Sequence, residues 1–192
     1  MNKKIQELAI KLQQLPNLSK RTSEKMAISL IENKIFYIEI LKNVVNDIDS
    51  FAIDSLTHEI ILTKDNFEKD YSTLFVFINN QEAFNILPKI GGDSANFIIG
   101  FTKGKDYLNS QKITELVNRF HQYLITFSPQ EIILLLSPSP EAELIYRLFR
   151  QKIAEEQLKD IKVTKLIPGV PFNSSIEYID EITLKKALEN RG

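Results

Sequence analysis

The stretch LFVFINNQEAFNILPKI, residues 74–90, joins a short apolar run to an amphipathic segment. Five apolar, largely β-prone residues bounded by polar ones are typical of a buried strand. The segment that follows has helical spacing and carries Gln81 and Glu82 in its first turn. The fold of the rest of the chain is predicted by extending this strand-and-helix unit in both directions.

Units of the same kind follow toward the C-terminus. They predict strands at NFIIGF (96–101), EIILLL (131–136) and KVTKLIPGVP (162–171, with its loop), and helices at 110–127 and 138–156. Strands alternating with helices from about residue 74 to 168 favour an α/β fold. We expect a parallel, doubly wound sheet with helices on both faces.

The N-terminal part has the periodicity of helices. Residues 3–15 predict a first helix, which Pro16 ends because proline disfavours the helical conformation of the preceding residue. Residues 35–49 predict a third helix. Between them, Thr22 and Ser23 are expected to cap a second helix with an inner face formed by Met26, Ala27, Leu30 and Ile31.

Residues 50–73 are less regular. THEIILT (57–63) predicts a short strand, and KDNFEKDYS (64–72) predicts a polar loop or turn.

Composition excludes several kinds of site. With no Cys, the chain has no disulfide, no cysteine-ligated zinc and no thiol nucleophile. Two His and no Trp leave few metal ligands or general bases. The net charge of −1 argues against a globally basic nucleic-acid coat. Residues 1–34, however, hold seven Lys and Arg against three Glu, so nucleic acid is electrostatically favoured there.

No apolar run is long enough to span a membrane, and Gln6 and Glu7 interrupt the N-terminal apolar stretch, unlike a signal peptide. We therefore expect a cytoplasmic protein without a membrane partner.

The segment LPNLSKRTSEKMAISLI, residues 15–31, is the most informative for function. A helix–hairpin–helix aims backbone N–H groups at DNA phosphates, and Lys20, Arg21 and Lys25 are placed to add charge. Such hairpins carry glycines for close approach, whereas Asn17 and Ser19 stand here and are expected to weaken the contact. The alternative is an ordinary helix pair with solvated lysines.

This segment resembles, without a gap, the helix–hairpin–helix of the RecR family, L-P-G-[IV]-G-x-K-[ST]-A-x-R-[LM]-A. The C-terminal stretch PGVPFNSSIEYIDEITLKKALENR, residues 168–191, is similar to a second motif of that family. The strands resemble those of the family's Toprim domain, with Asp106 near a Toprim aspartate. The matching residues are Leu15, Pro16, Arg21, Thr22, Lys25, Met26 and Ala27 in the first motif and Gly169, Pro171, Ile176, Glu177, Tyr178, Asp180, Thr183, Leu184, Ala187 and Arg191 in the second.

The resemblance implies four regions: a helix–hairpin–helix with its following helix at 1–49, a degenerate zinc-finger region at 50–73, a Toprim-like domain at 74–165 and a C-terminal segment at 166–192. It implies a DNA-repair and recombination mediator without catalytic residues or cofactor, acting with RecO and RecF to help load RecA on gapped or single-stranded DNA. It also implies a homodimer or homotetramer. The partner-binding residues it implies are Glu141, Glu143, Glu177, Tyr178 and Asp180.

Two departures from the family are important. The four zinc-binding cysteines are absent from about Phe51 to Lys64, so we expect no metal there and packing by hydrophobic contacts alone. Ile78 stands where a Toprim enzyme has a Mg²⁺-binding glutamate, which argues against phosphoryl chemistry.

The acids Glu141 and Glu143 allow two interpretations, because a helix N-terminus favours acidic residues whether or not they contact a partner. Two alternative functions also remain open. One is a divergent Toprim nuclease or primase-like enzyme, and the other is a partner-binding relative that has lost DNA binding.

Overall fold

Two structural units make up the chain, Met1–Phe51 and Ala52–Gly192. The computed structural model describes residues 3–64, 69–91, 93–101, 104–158, 160–166 and 179–192. Helices come first and a mixed α/β unit follows, as the sequence predicts. None of the helices within these described ranges is both long and apolar enough to cross a membrane.

The first unit consists of α1 (Lys3–Leu12), α2 (Lys20–Glu32) and α3 (Lys34–Asp49). Helices α1 and α2 pack against each other, and the side chains they bury are the small ones of Ala9, Ser23 and Ala27. The expected N-cap was wrong: Ser19 caps α2, three residues before Thr22 and four before Ser23, and the helix begins at Lys20. Ile31 was also misplaced on the inner face, because it is 47% exposed.

Helix α3 follows α2 almost directly and begins one residue before its predicted start. None of its residues is buried, although it carries a high proportion of apolar side chains. Those exposed by roughly two-fifths or more are Ile35, Phe36, Ile38, Ile40, Leu41, Val44, Val45 and Ile48.

The second unit is built on a parallel four-stranded sheet of order β4-β3-β5-β6. Its strands are β3 (Asp70–Phe77), β4 (Ser94–Ile98), β5 (Glu131–Leu134) and β6 (Lys162–Lys165). Its helices are α4 (Asn80–Ile90), a 3₁₀ turn (Gly104–Leu108), α5 (Ser110–Phe127), α6 (Pro140–Glu155) and α7 (Glu181–Glu189). The short strands β1 (Phe51–Ile53) and β2 (Ile60–Leu62) form a separate two-stranded sheet.

Both faces of the four-stranded sheet are covered, as the continuous apolar strands predict. Because successive residues of a strand point to opposite faces, Leu74 and Val76 pack with α5 and α6, whereas Phe75 and Phe77 pack with α4 and α7. On the first face Phe97 meets Phe120, Tyr123 and Phe149 edge-on, and the rings of Phe120 and Phe149 stack 3.7 Å apart. The prediction of a doubly wound α/β unit is confirmed.

Several strand boundaries differ from the prediction: β4 and β5 end at Ile98 and Leu134, before the predicted 101 and 136, and β2 is shorter than 57–63. Two strands also begin earlier than predicted. Strand β3 begins at Asp70, inside the stretch expected to be a loop, because Asp70 pairs with Ser94 and its N–H donates to the carbonyl of Asp93 at 2.9 Å. Strand β4 begins two residues earlier than its apolar run. Backbone pairing extends both strands beyond the apolar residues, and a hydrophobic pattern does not report it.

The loop between β1 and β2, residues 54–59, lies in the region where the family has its zinc-binding cysteines; we call it the cysteine-free loop, and it is held mainly by polar contacts. Oδ1 of Asp54 accepts hydrogen bonds from the N–H groups of Leu56 (3.0 Å) and Thr57 (2.6 Å) and from the Thr57 hydroxyl (2.8 Å). Burial is the largest single influence on the pKa of Asp54 and raises it. The hydrogen bonds from Thr57 and Leu56 together outweigh burial, so the pKa of Asp54 is lowered. Leu56 adds apolar contact with the core. The expectation of hydrophobic contacts alone was therefore wrong.

Candidate functional site

The turn between α1 and α2 is formed although Asn17 and Ser19 stand at the positions expected for glycines. Asn17 has a φ of 63°, the left-handed region, which asparagine enters more readily than most residues. Ser19 is extended, with a φ of −71°, so its position needs no glycine. Its side-chain oxygen accepts from the N–H of Thr22 at 3.2 Å, and its carbonyl accepts from the N–H of Ser23 at 2.9 Å. Both replacements are therefore compatible with a formed hairpin.

The three predicted DNA-binding cations lie in the first two turns of α2. Lys20, Arg21 and Lys25 are all exposed, and none forms an ion pair with a carboxylate in the described part of the chain. A helix N-terminus carries a partial positive charge, so cations in the first turn do not stabilise the helix by themselves. Their position becomes favourable when an anion binds the turn, because the anion offsets the charge of the cationic side chains and the partial positive charge of the helix N-terminus.

The carboxyl end of β3 carries no acidic side chain. Ile78 follows the strand and packs against the apolar core, in the position where a Toprim enzyme holds its metal. Asn79 caps α4 by accepting from the N–H of Glu82 at 2.9 Å. Asn80 is also structural: its amide donates to the His58 carbonyl, and its Oδ1 accepts from the Ile60 N–H, both at 3.0 Å.

Three carboxylates lie near Tyr107 at the same end of the sheet. Burial, and after it the negative charges of Glu141, Glu82 and Asp106, together raise the pKa of Tyr107 to about 12. Asp106 is buried and pairs with Lys112 at 2.9 Å. Within the described ranges, no three His, Cys, Asp or Glu side chains are arranged to hold a metal ion.

The predicted partner-binding acids differ in what they contact. At the start of α6, Ser139 provides the N-cap, and Glu143 pairs with Lys165 of β6 at 2.6 Å and with Arg147 at 3.5 Å. The hydrogen bond from Lys165 is the main reason why the pKa of Glu143 lies below its usual value. Glu141 is half-buried and contributes to the charge around Tyr107.

Asp180 caps α7 by accepting from the N–H of Thr183 at 2.9 Å, a bond that lowers the pKa of Asp180. Glu177 and Tyr178 lie outside the described residues.

Two arginines that sequence analysis did not single out for a role hold parts of the second unit together. Buried Arg119 of α5 donates to the carbonyls of Leu56 (3.1 Å), Ile98 (3.2 Å) and Ile99 (3.1 Å), which ties the cysteine-free loop to β4. Arg191 binds Glu131 of β5 through two nitrogens, at 3.0 and 2.7 Å. Arg191 belongs to the C-terminal motif, but its partner sixty residues away could not be read from the sequence.

Comparison with known proteins finds recombination proteins named RecR among the relatives of this chain. Residues 169–191 match the family described as RecR, C-terminal. Recombination protein RecR of Orientia tsutsugamushi (strain Ikeda) is 27% identical over 97% of this chain and 94% of its own length. The RecR proteins of Mycoplasmopsis pulmonis (strain UAB CTIP) and Psychrobacter sp. (strain PRwf-1) are 25% and 27% identical, covering 99% and 100% of this chain and 98% and 100% of their own lengths.

Proposed function

Because this chain belongs to the RecR family and is therefore a recombination and repair protein, we propose that it acts as a non-enzymatic scaffold on DNA. In this role it works in the cytoplasm with RecO-like and RecF-like proteins to help load RecA on gapped or single-stranded DNA. The similarity to RecR proteins over nearly their full lengths supports this function.

The hairpin is the DNA contact in this proposal, through Lys20, Arg21 and Lys25. The observation that carries it is the left-handed Asn17, which preserves the hairpin turn beside exposed cations at a helix start. Contacts of this kind reach phosphates and not bases, so binding is independent of sequence. Three cations per chain neutralise few phosphates, and useful affinity therefore requires several chains acting together.

A charge-reversal experiment tests the DNA contact. The double variant Arg21→Glu with Lys25→Glu should abolish binding to single- and double-stranded oligonucleotides in low salt, measured by fluorescence anisotropy. The wild-type affinity should fall with salt by a log–log slope of about −0.7 to −0.9 per phosphate neutralised. Lys3→Glu with Lys11→Glu is the matched control, because it makes the same charge change at exposed positions of α1 outside the turn.

Unchanged affinity of the hairpin variant would contradict the proposed DNA site. A wild-type chain that binds no DNA but still binds a RecO-like protein would instead support a relative that has lost DNA binding.

Self-association is part of the proposal, as a dimer or tetramer. Helix α3 has apolar side chains along its length and buries none of them. Leu41 and Val45 line a shallow apolar groove together with Ile38. A row of exposed apolar side chains along a whole helix usually marks an interface, and a second copy of α3 offers a matching apolar face.

For the partner contact we propose Glu141, Glu143, Glu177, Tyr178 and Asp180 of the predicted set. Glu143 and Asp180 already hold α6 and α7 in place, so their substitution would mix a structural effect with a binding effect. Glu141→Gln is therefore the cleaner test, read as weaker binding of a RecO-like protein with unchanged thermal stability.

An enzymatic role is the alternative, and the apolar Ile78 at the end of β3 argues against it. We expect no divalent-metal-dependent nicking of supercoiled plasmid. Nicking that is lost in an Asp106→Asn variant would contradict the scaffold proposal.

A further inference from the structure

Helix α6 and strand β6 enclose an open groove of about 520 Å³, which we call the α6–β6 groove. On the helix side Tyr146, Arg150 and Ala154 follow each other at intervals of four residues, so they share one face. On the strand side the groove is lined by Ile161, Lys162 and Val163.

The floor of the groove is apolar. Ile153 is buried, and Ile161 and Val163 are half-buried. The transfer of an apolar side chain from water onto this floor is therefore favourable. Strand β6 has β5 as its neighbour on one side. At the other side of β6, Gly192 exchanges backbone hydrogen bonds with Lys165, at 3.0 and 3.4 Å.

The rim of the groove is cationic. Arg150 is exposed and donates to the Tyr146 hydroxyl at 3.2 Å, and within the described ranges no carboxylate lies within ion-pair distance of it. The Lys162 side chain is 64% exposed and lies 3.5 Å from Glu131. Lys165 lies above the Tyr146 ring, 4.6 Å from its centre.

The charged side chains that line the groove are cationic. Arg150 and Lys162 are the charged side chains that line the groove, and the carboxylates of Glu131 and Glu143 nearby are already paired with Lys162, Arg191, Lys165 and Arg147. Residues 52–192 as a whole carry 16 basic and 19 acidic residues, so two cationic side chains on one groove contrast with the charge of the whole unit. A local positive rim on an acidic unit attracts anionic groups to one place.

We propose that the α6–β6 groove binds an acidic segment of a partner protein that carries one apolar side chain. The apolar side chain enters the floor at Ile153 and Val163, and the flanking carboxylates pair with Arg150 and Lys162. Single-stranded nucleic acid fits less well, because Arg150 and Lys165 already lie against the Tyr146 ring on which a base would stack. This surface is separate in its residues from the proposed DNA site.

The test uses the full chain and a fluorescent peptide with two aspartates on each side of a single phenylalanine. We expect saturable binding that Arg150→Glu weakens by about tenfold. Lys186→Glu is the matched control, since it makes the same charge change at an exposed residue outside the groove, and it should bind as the wild type does. Equal affinity of Arg150→Glu and wild type, or no binding by the wild type, would overturn the proposal.

Two further comparisons separate the floor from the rim. Replacing the phenylalanine of the peptide by serine should weaken binding to the wild type, and this difference should disappear in Ala154→Gln, which places an amide at the exposed edge of the floor. An oligothymidylate that binds the wild type and loses affinity with Arg150→Glu would overturn the proposal in favour of nucleic acid. Arg150→Glu should leave hairpin-dependent DNA binding unchanged, so failure of the groove is distinguishable from failure of the DNA site.

Discussion

The two units of the chain differ in the burial of their large apolar side chains. In the second unit Phe97 is fully buried among three aromatic rings, whereas in the first unit Phe36 of α3 is 63% exposed. A sheet covered by helices on both faces completes its own core, but three helices in a row leave one of them without a covering layer. The second unit thus has the interior of an independent domain, and the first presents a surface suited to assembly.

The largest expected effect on stability comes from a substitution in the core of the second unit. Phe97→Ala should lower the free energy of unfolding by about 3 to 5 kcal/mol, because it removes a fully buried ring and leaves a cavity. Phe36→Ala should change it by less than about 0.5 kcal/mol in the dissociated chain, because most of that ring is already in water. Urea unfolding at low protein concentration measures both, and similar losses for the two variants would contradict the comparison.

The next prediction concerns the uncovered α3. Leu41→Glu with Val45→Glu should raise the dissociation constant for self-association by about a hundredfold, since charges would be buried in an apolar interface. Light scattering across a dilution series gives the constant. Phe84→Glu with Ile125→Glu, at exposed apolar positions of the second unit, should have little effect. A wild-type chain that stays monomeric at high concentration would refute the interface.

A smaller loss of stability is expected when the contact of Arg119 with the cysteine-free loop is removed. Arg119→Met should destabilise the second unit by about 2 kcal/mol, because it removes the donors to three backbone carbonyls. A metal chelator should leave the thermal midpoint of the wild type unchanged, because no cysteine is present to anchor zinc. About one tightly held zinc per purified chain would contradict this account.

The smallest effect concerns the contact between Arg191 and Glu131. The hydrogen bond from Arg191 is the main reason why the pKa of Glu131 lies below its usual value. A carboxyl group whose pKa is lower in the folded than in the unfolded chain stabilises the fold at pH values above its unfolded pKa. This stabilisation is lost as the pH falls through the folded-state pKa. Arg191→Met should therefore cost about 1 kcal/mol at neutral pH.

The difference between Arg191→Met and wild type should shrink as the pH falls below about 4, where glutamate becomes protonated. Unfolding curves recorded from pH 7 to pH 3 measure this trend. Lys185→Met, which removes an exposed pair with Glu181, should show little loss at either pH. If the stability lost in Arg191→Met stays constant with pH, the arginine acts by packing and not by charge.

Much of the fold could be predicted because it depends on short-range patterns. The apolar runs of β3, β4 and β5 and the amphipathic spacing of α5 predict the order of elements and the parallel sheet, and α5 has its predicted bounds. Motif matches at the hairpin and at residues 168–191 predicted the family, which the comparisons confirm. These features are carried by residues close together in the chain.

The tertiary structure decided what depends on distant residues. Only the folded chain brings Arg119 to Leu56, Arg191 to Glu131 and Glu143 to Lys165. The predicted capping by Thr22 and Ser23 failed for a local reason, because Ser19, three residues before Thr22, is the hydroxyl residue that accepts from the Thr22 N–H. Periodicity shows which side chains prefer burial, but the partner of each polar group is set by the packing of whole elements, which the sequence of one segment does not contain.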